Sequence, residues 1–111
     1  WIVRNNELIE TKGDKFPIGS FVDDREQYFQ NHTWSLQKED IIYILTDGYT
    51  DQFGGPKHKK FGAKKLKNLL LEIYKEPADV QKQTLNNIIE SWRAQSGEQQ
   101  TDDILIMGIR I

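Results

Sequence analysis

The sequence predicts an α+β fold in which several strands form a sheet and two one-sided helices pack against it. Two runs of apolar and β-branched residues, 41–46 and 104–111, have the length and composition of buried strands. Between these runs, apolar residues recur at the three- and four-residue spacing of amphipathic helices. Strands of this kind combined with two one-sided helices make a layered α+β arrangement.

The first predicted elements are a hairpin and a bent strand. Residues 1–4 and 8–11 flank an Asn-Asn-Glu sequence at 5–7, which predicts a β-hairpin whose turn is supplied by asparagine. Residues 26–36 alternate irregularly between polar and apolar side chains, which predicts a strand with a bend. The charged residues 37–40 then predict a turn before the strand at 41–46.

The two strongest strands, 41–46 and 104–111, are apolar on consecutive rather than alternating residues. Such continuous runs predict strands that are covered on both faces. The alternative is that each run is a short core helix. Their length, their β-branched residues and the turn residues that bound them favour the strand interpretation.

Two amphipathic helices are predicted between these strands. The first begins after Gly62, and the second opens near Pro77, with Asp79 at the positive end of its dipole and a stop at Ser96-Gly97. The apolar positions follow the i, i+3, i+4, i+7 spacing in both: Leu66, Leu69, Leu70 and Ile73 in the first, and Leu85, Ile88, Ile89 and Trp92 in the second.

Composition restricts the chemistry available to the chain. Its 111 residues carry a formal net charge of −2 and include no cysteine. Disulfides, a thiolate nucleophile and cysteine-ligated zinc are therefore excluded. The charge gives no argument for nucleic acid or membrane surfaces as partners, and no apolar run approaches the length of a membrane span. We expect a cytoplasmic protein, or the cytoplasmic output domain of a larger sensor protein.

The first residues suggest that part of the domain is missing. The chain opens inside an apolar strand, whereas domain termini usually lie in exposed polar segments. Two helices can cover one face of a sheet, so we expect the missing front part to cover the other face. Without it, we expect exposed apolar sheet surface and self-association into a homo-oligomer through that surface.

Two acidic motifs adjoin the two strongest strands. Asp47-Gly48 follows the first of them, and Asp102-Asp103 precedes the last. If the strands are neighbours, the carboxylates meet, and in a chain with no cysteine and two histidines they point to a hard cation such as Mg²⁺ or Mn²⁺. Each motif alone has an ordinary alternative, because Asp-Gly is a common turn pair and two aspartates suit a polar loop.

The motif Thr-Asp-Gly-Tyr-Thr-Asp at 46–51 resembles the TDG motif of metal-dependent PP2C-type serine/threonine phosphatases, in particular the SpoIIE-like bacterial branch. Pro17-Ile18-Gly19, Phe61-Gly62 and the Asp-Asp-Ile at 102–104 resemble further motifs of that branch, in the same order, over essentially all of the chain. The resemblance implies an α/β/β/α sandwich of mostly antiparallel strands. Residues 1–111 would then be the C-terminal portion of the catalytic domain.

The function that this resemblance implies is hydrolysis of phosphoserine or phosphothreonine by a water bound to two Mg²⁺ or Mn²⁺ ions, with no side-chain nucleophile. By motif position, Asp47 and Asp102 would be metal ligands. Asp51, Gly48 and Asp103 would support the centre, Asp103 because strand alternation turns it to the opposite side. The implied partner is a phosphorylated regulatory protein in bacterial signal transduction.

One motif of the family has no counterpart in this chain. It is an earlier Asp followed by a Gly-rich segment, in which the Asp bridges both metal ions. We therefore expect an incomplete metal site and no activity from the 111 residues alone. The alternative hypothesis is a non-catalytic regulatory or assembly module derived from the same fold.

A cluster of basic residues lies between the two acidic motifs. We interpret it as a solvated loop and helix face, with docking of an acidic or phosphorylated partner as the alternative. Its members are Lys57, His58, Lys59, Lys60, Lys64, Lys65 and Lys67.

Overall fold

A computed structural model describes residues 1–16 and 28–111. In chain order the elements are β1 (Ile2–Arg4), β2 (Glu7–Ile9), β3 (Ile41–Leu45), α1 (Gly48–Asp51), β4 (Phe53–Gly54), β5 (Lys59–Lys60), α2 (Ala63–Ile73), α3 (Ala78–Ala94) and β6 (Ile106–Arg110). Four strands form an antiparallel sheet in the order β2-β1-β3-β6, and β4 pairs with β5. The predicted α+β class is confirmed. In the described part of the chain, no helix is both long and apolar enough to cross a membrane.

The first hairpin forms as predicted, with a tighter turn. Asn5 and Asn6 both have positive φ angles, 49° and 64°, the combination that a two-residue type I′ turn requires and that asparagine tolerates. Glu7 therefore belongs to β2 and pairs with Arg4.

The segment before β3 differs from its prediction. The strand expected over 26–36 is wrong for residues 28–36, which form no regular strand; 26 and 27 lie outside the described residues. Tyr28 and Trp34 are 78% and 46% exposed, so burial of these two side chains does not favour a strand in this segment. The turn at 37–40 is confirmed by a 3.1 Å hydrogen bond from the Asp40 N–H to the Gln37 carbonyl.

Both helices form where the apolar spacing predicts them, and together they cover one face of the main sheet. Pro77 is the N-cap residue of α3, and Gly97, with a φ of 67°, follows the end of that helix. The core lies between this face and the helices, and it includes Val3, Ile41 and Tyr43 from the strands and Leu66, Leu70, Leu85 and Ile89 from the helices.

The prediction that β3 and β6 are covered on both faces is wrong for the described residues. Tyr43, on the helix side, is 2% exposed, whereas Ile44, Met107 and Ile109, on the opposite side, are 54%, 48% and 40% exposed. Both strands are apolar at consecutive positions, but the two helices are enough for only one layer. The expected exposed apolar sheet surface is present, and self-association through it stays a prediction.

A buried polar network joins the helix layer to the sheet. The Tyr43 hydroxyl donates to Gln81 Oε1 at 2.7 Å, and Gln81 Nε2 donates to the carbonyls of Tyr74 and Glu76 at the end of α2. Arg110 Nη2 donates to the same two carbonyls from β6, at 3.0 Å each. Burial raises the pKa of Tyr43 to about 12, so this hydroxyl stays a donor at neutral pH. The network attaches the α2–α3 junction to the end of the sheet away from the acidic motifs.

A buried carboxylate lies at that same end of the sheet. Asp40 is 1% exposed, and it accepts hydrogen bonds from Arg4 Nε at 2.9 Å and Arg4 Nη2 at 2.6 Å. The Gln37 N–H donates a third, at 2.8 Å. The Arg4 hydrogen bonds, followed by that of the Gln37 N–H, lower the pKa of Asp40 from 3.8 to about 2.

This ion pair predicts a specific loss of stability in acid. Because the pKa of Asp40 is lower in the folded state than in the unfolded chain, its contribution is complete above about pH 4 and is lost as the pH falls towards 2. We expect Asp40→Asn to be less stable than the wild type at pH 6, and this difference to shrink between pH 4 and pH 2. Urea unfolding of both proteins across this range measures it, and a difference independent of pH would contradict the pairing.

Candidate metal centre

The two acidic motifs lie at the same edge of the main sheet. β3 and β6 are antiparallel neighbours, and Leu45 at the end of β3 pairs with Ile106 at the start of β6. Residues that follow β3 and residues that precede β6 must therefore lie side by side. The condition on which the motifs could meet, that their strands are neighbours, is thus fulfilled.

Thr46 links the two motifs directly. Its N–H donates to the Leu105 carbonyl at 3.1 Å, and its hydroxyl donates to the Asp103 carbonyl at 2.9 Å. The same hydroxyl oxygen accepts a hydrogen bond from the Leu105 N–H at 3.1 Å. One threonine side chain thus continues the strand ladder beyond the last paired residues. The sequence identified Thr46 only as the first residue of the TDG motif and did not predict this contact.

The segment after Asp47 is a short helix, α1, that the sequence reasoning missed. The Asp51 N–H and the Thr50 hydroxyl each donate to the Asp47 carbonyl at 2.9 Å, closing one turn. Asp47 and Asp51 therefore lie one helical turn apart at the edge of the sheet. Asp51 also pairs with Lys60 Nζ at 3.1 Å. A four-residue helix has too few apolar positions to be detected from periodicity.

Gly48 packs directly against the backbone of the second motif. A Cβ at this position would overlap the main-chain oxygen of Asp103 and lie 2.9 Å from its carbonyl carbon. Only a residue without a side chain allows the backbone after Asp47 to pack directly on the backbone of the second motif. The Gly of the TDG motif is thus required by the distance between two backbones.

The carboxylates of Asp47, Asp102 and Asp103 are exposed, and among the described residues none of them forms an ion pair. Their oxygen donors suit a hard divalent cation. Within residues 1–16 and 28–111, however, no group of three or more acidic, histidine or cysteine side chains could hold a metal ion. The residues present thus fit part of a coordination sphere, and the ligand roles of Asp47 and Asp102 stay predictions.

Strand geometry does not separate Asp103 from Asp102. β6 begins at Ile106, so residues 102 and 103 precede the strand, and strand alternation does not set their directions. Asp103 contacts the first motif through its main chain, because its carbonyl accepts a hydrogen bond from Thr46 and lies close to Gly48.

The β4–β5 hairpin, residues 53–60, flanks the site and is fixed to α3. The Gly55 N–H donates to the Trp92 carbonyl at 2.8 Å, and Trp92 Nε1 donates to the Gln52 carbonyl at 3.2 Å. A Cβ at Gly54 would lie 2.7 Å from the Trp92 carbonyl carbon, so this contact also depends on glycine. The hairpin is therefore held rigidly beside α1.

The Phe-Gly motif joins this hairpin to α2. Phe61 is buried and stacks edge-on against Tyr49 and Trp92, with ring centroids 5.1 and 5.5 Å away. Gly62 is the N-cap of α2 with a φ of 88°, which favours glycine, and its N–H donates to the Thr50 carbonyl at 2.9 Å. The Pro17-Ile18-Gly19 motif lies outside the described residues.

Comparisons with known proteins show the family and the fold of the chain. The family model for "Stage II sporulation protein E (SpoIIE)" matches residues 1–111. The chain is also similar to the solved structure of the SiaA-PP2C domain of Pseudomonas aeruginosa, with a TM-score of 0.69 and 26% sequence identity. That match covers 77% of this chain but 34% of the solved chain, so the present residues span about a third of its length. No match was found among curated proteins.

Proposed function

The chain belongs to the SpoIIE family of PP2C-like phosphatase domains, and from this premise we propose that it is the C-terminal portion of a metal-dependent phosphoserine/phosphothreonine protein phosphatase. Its substrate would be a phosphorylated regulatory protein in the cytoplasm of a bacterium. The alternative, a non-catalytic regulatory or assembly module, shares the fold but needs no metal.

The observation that carries this proposal is the convergence of the TDG and Asp-Asp motifs. They are 55 residues apart (47 to 102) in sequence, yet the hydrogen bonds of Thr46 and the close backbone packing at Gly48 hold them together. Stability of the fold does not require exposed carboxylates that lack an ion pair with the described residues, because the core lies between the sheet and the helices. A cation-binding role accounts for their placement.

In this proposal, Asp47 and Asp102 hold a divalent cation, Mg²⁺ or Mn²⁺, with the remaining ligands supplied from outside the described residues. When bound, such a cation lowers the pKa of water and neutralises charge on phosphoryl oxygens. α1 presents Asp47 and Asp51 on one turn, and Lys60 holds the Asp51 carboxylate at 3.1 Å. Thr46 keeps the second motif in register with the first.

The test compares the full-length protein with the 111-residue chain in hydrolysis of p-nitrophenyl phosphate and of a phosphoserine peptide. We expect the full-length protein to turn over both substrates with Mn²⁺ or Mg²⁺ and to stop when EDTA removes the metal. We expect no turnover from the chain alone, because two ligands leave most of the coordination sphere to water.

Two outcomes would contradict these expectations. Turnover by the isolated chain that is lost on Asp47→Asn would show that its site is complete. A folded full-length protein without any metal-dependent turnover would favour the non-catalytic module instead.

A further inference from the structure

The part of the chain between the two acidic motifs carries a strong local excess of positive charge. From Gln52 to Leu71 there are six lysines and no acidic residue, although the whole chain has a net charge of −2. Four of these lysines lie on the β4–β5 hairpin and at the start of α2: Lys57, Lys59, Lys60 and Lys64. We call these four residues and His58 the basic surface. All five are exposed.

Contacts within the described residues compensate only part of this charge. Lys60 pairs with Asp51, and His58 Nδ1 lies 3.1 Å from Glu98 Oε1. Lys57, Lys59 and Lys64 form no ion pair within residues 1–16 and 28–111. The neighbouring lysines behave differently, since Lys65 lies 3.9 Å from the ring centroid of Trp92 and Lys67 pairs with Glu10. Of the six lysines between Gln52 and Leu71, the three that form neither an ion pair nor a ring contact with the described residues therefore lie on the hairpin and in the first turn of α2.

The hairpin backbone that carries the basic surface is attached to α3 and lies beside the candidate metal centre. Gly54 and Gly55 pack against Trp92, which fixes the base of the hairpin to α3. The Lys60–Asp51 pair joins the hairpin to α1, whose preceding residue is Asp47. Because these contacts order the hairpin backbone before binding, the entropy lost when a partner binds comes mainly from the lysine side chains.

From this juxtaposition we propose that the basic surface docks an acidic segment of the protein substrate, next to the phosphorylated residue that the metal centre receives. The inference rests on the proposed function, because it names where the substrate of that same site is held. Three exposed carboxylates (Asp47, Asp102 and Asp103) repel an anionic protein, and the half-buried Asp51 adds a fourth negative charge beside them. A fixed positive surface beside them offsets this repulsion and guides the phosphorylated segment to the edge of the sheet.

The experiment measures binding without hydrolysis. A fluorescein-labelled phosphoserine peptide with glutamates on both sides is titrated with the full-length protein in EDTA, and fluorescence anisotropy gives the Kd. We expect Lys57→Glu/Lys59→Glu to raise this Kd by about tenfold at low salt, since exposed ion pairs contribute up to about 1 kcal/mol each. A peptide with glutamines in place of the glutamates should bind more weakly to the wild type and respond less to the double variant.

The matched control is Lys75→Glu/Lys82→Glu, which makes the same change in net charge on exposed residues near the α2–α3 junction, at the other end of the sheet. It should leave the Kd unchanged within twofold. Equal weakening by both double variants would overturn the proposal, because it would reflect net charge alone. A single-stranded DNA of the same charge provides a second test. If Lys57→Glu/Lys59→Glu weakens binding of the DNA as much as binding of the peptide, the surface attracts any polyanion and the proposal is overturned.

Activity measurements separate this inference from the proposed function. With Mn²⁺, Lys57→Glu/Lys59→Glu should raise the KM for the acidic phosphopeptide and leave hydrolysis of p-nitrophenyl phosphate unchanged. If the protein hydrolyses both substrates but the variant binds the peptide normally, docking is wrong and the phosphatase assignment stands. If the protein hydrolyses neither, the phosphatase assignment fails, whereas the anisotropy result still reports whether the surface binds acidic peptides.

Discussion

Asp47→Asn is expected to lower the metal-dependent phosphatase activity of the full-length protein by more than about 100-fold. Residues that merely support a metal ligand cost about 10–100-fold when replaced, so loss of a ligand should cost more. Asparagine keeps the size of the side chain and removes its charge, and Asp47 is exposed and without an ion pair among the described residues, so the fold should be retained. Initial rates against Mn²⁺ concentration, together with Mn²⁺ titration by calorimetry, measure the effect.

The control for this variant is Asp79→Asn. Asp79 lies in the first turn of α3, an element whose start is joined through Glu76 and Arg110 to the opposite end of the sheet. The Asp79→Asn variant loses the same charge as Asp47→Asn, but we expect its activity to be close to that of the wild type. If Asp47→Asn kept wild-type activity and Mn²⁺ affinity in a folded protein, Asp47 would not be a ligand.

Gly48→Ala is expected to damage both stability and the candidate metal centre. The added methyl group would overlap the main-chain oxygen of Asp103, and a backbone carbonyl cannot move aside as a flexible side chain can. We expect a loss of about 1–3 kcal/mol in the free energy of unfolding, as for other overpacked sites. Because the motifs must separate to make room, Mn²⁺-dependent activity should fall as well. Urea unfolding and initial rates measure the two effects.

Gly13→Ala is the matched control, because none of the described residues lies within 4 Å of a Cβ at that position. It should leave both the urea midpoint and the activity unchanged. An unchanged urea midpoint for Gly48→Ala would instead show that the two backbones are not in close contact. Reduced stability with full activity would show that the separation of the motifs does not matter for metal binding.

Much of the fold could be predicted because it depends on residue patterns that are local in the sequence. The apolar spacing of α2 and α3, the paired asparagines of the first turn and the apolar runs of β3 and β6 each reflect a preference of the nearby chain. The short elements were missed for the same reason. α1 has four residues, and β4 and β5 have two each, which is too few to show any periodicity. Contacts with Trp92, Gln52 and Lys60 hold these elements in place.

The sequence by itself determined the fold class, the two helices, the acidic motifs and the family resemblance, because these depend on residue type and spacing along the chain. Only the tertiary structure decided which side of the sheet is covered. Ile44 and Tyr43 are equally suited to burial, but the helices pack on the face that carries Tyr43 and leave the face that carries Ile44 exposed. It also decided how the motifs meet. The β3–β6 register, the hydrogen bonds of Thr46 and the close approach at Gly48 join residues more than 50 positions apart, and such distances depend on packing rather than on local preference.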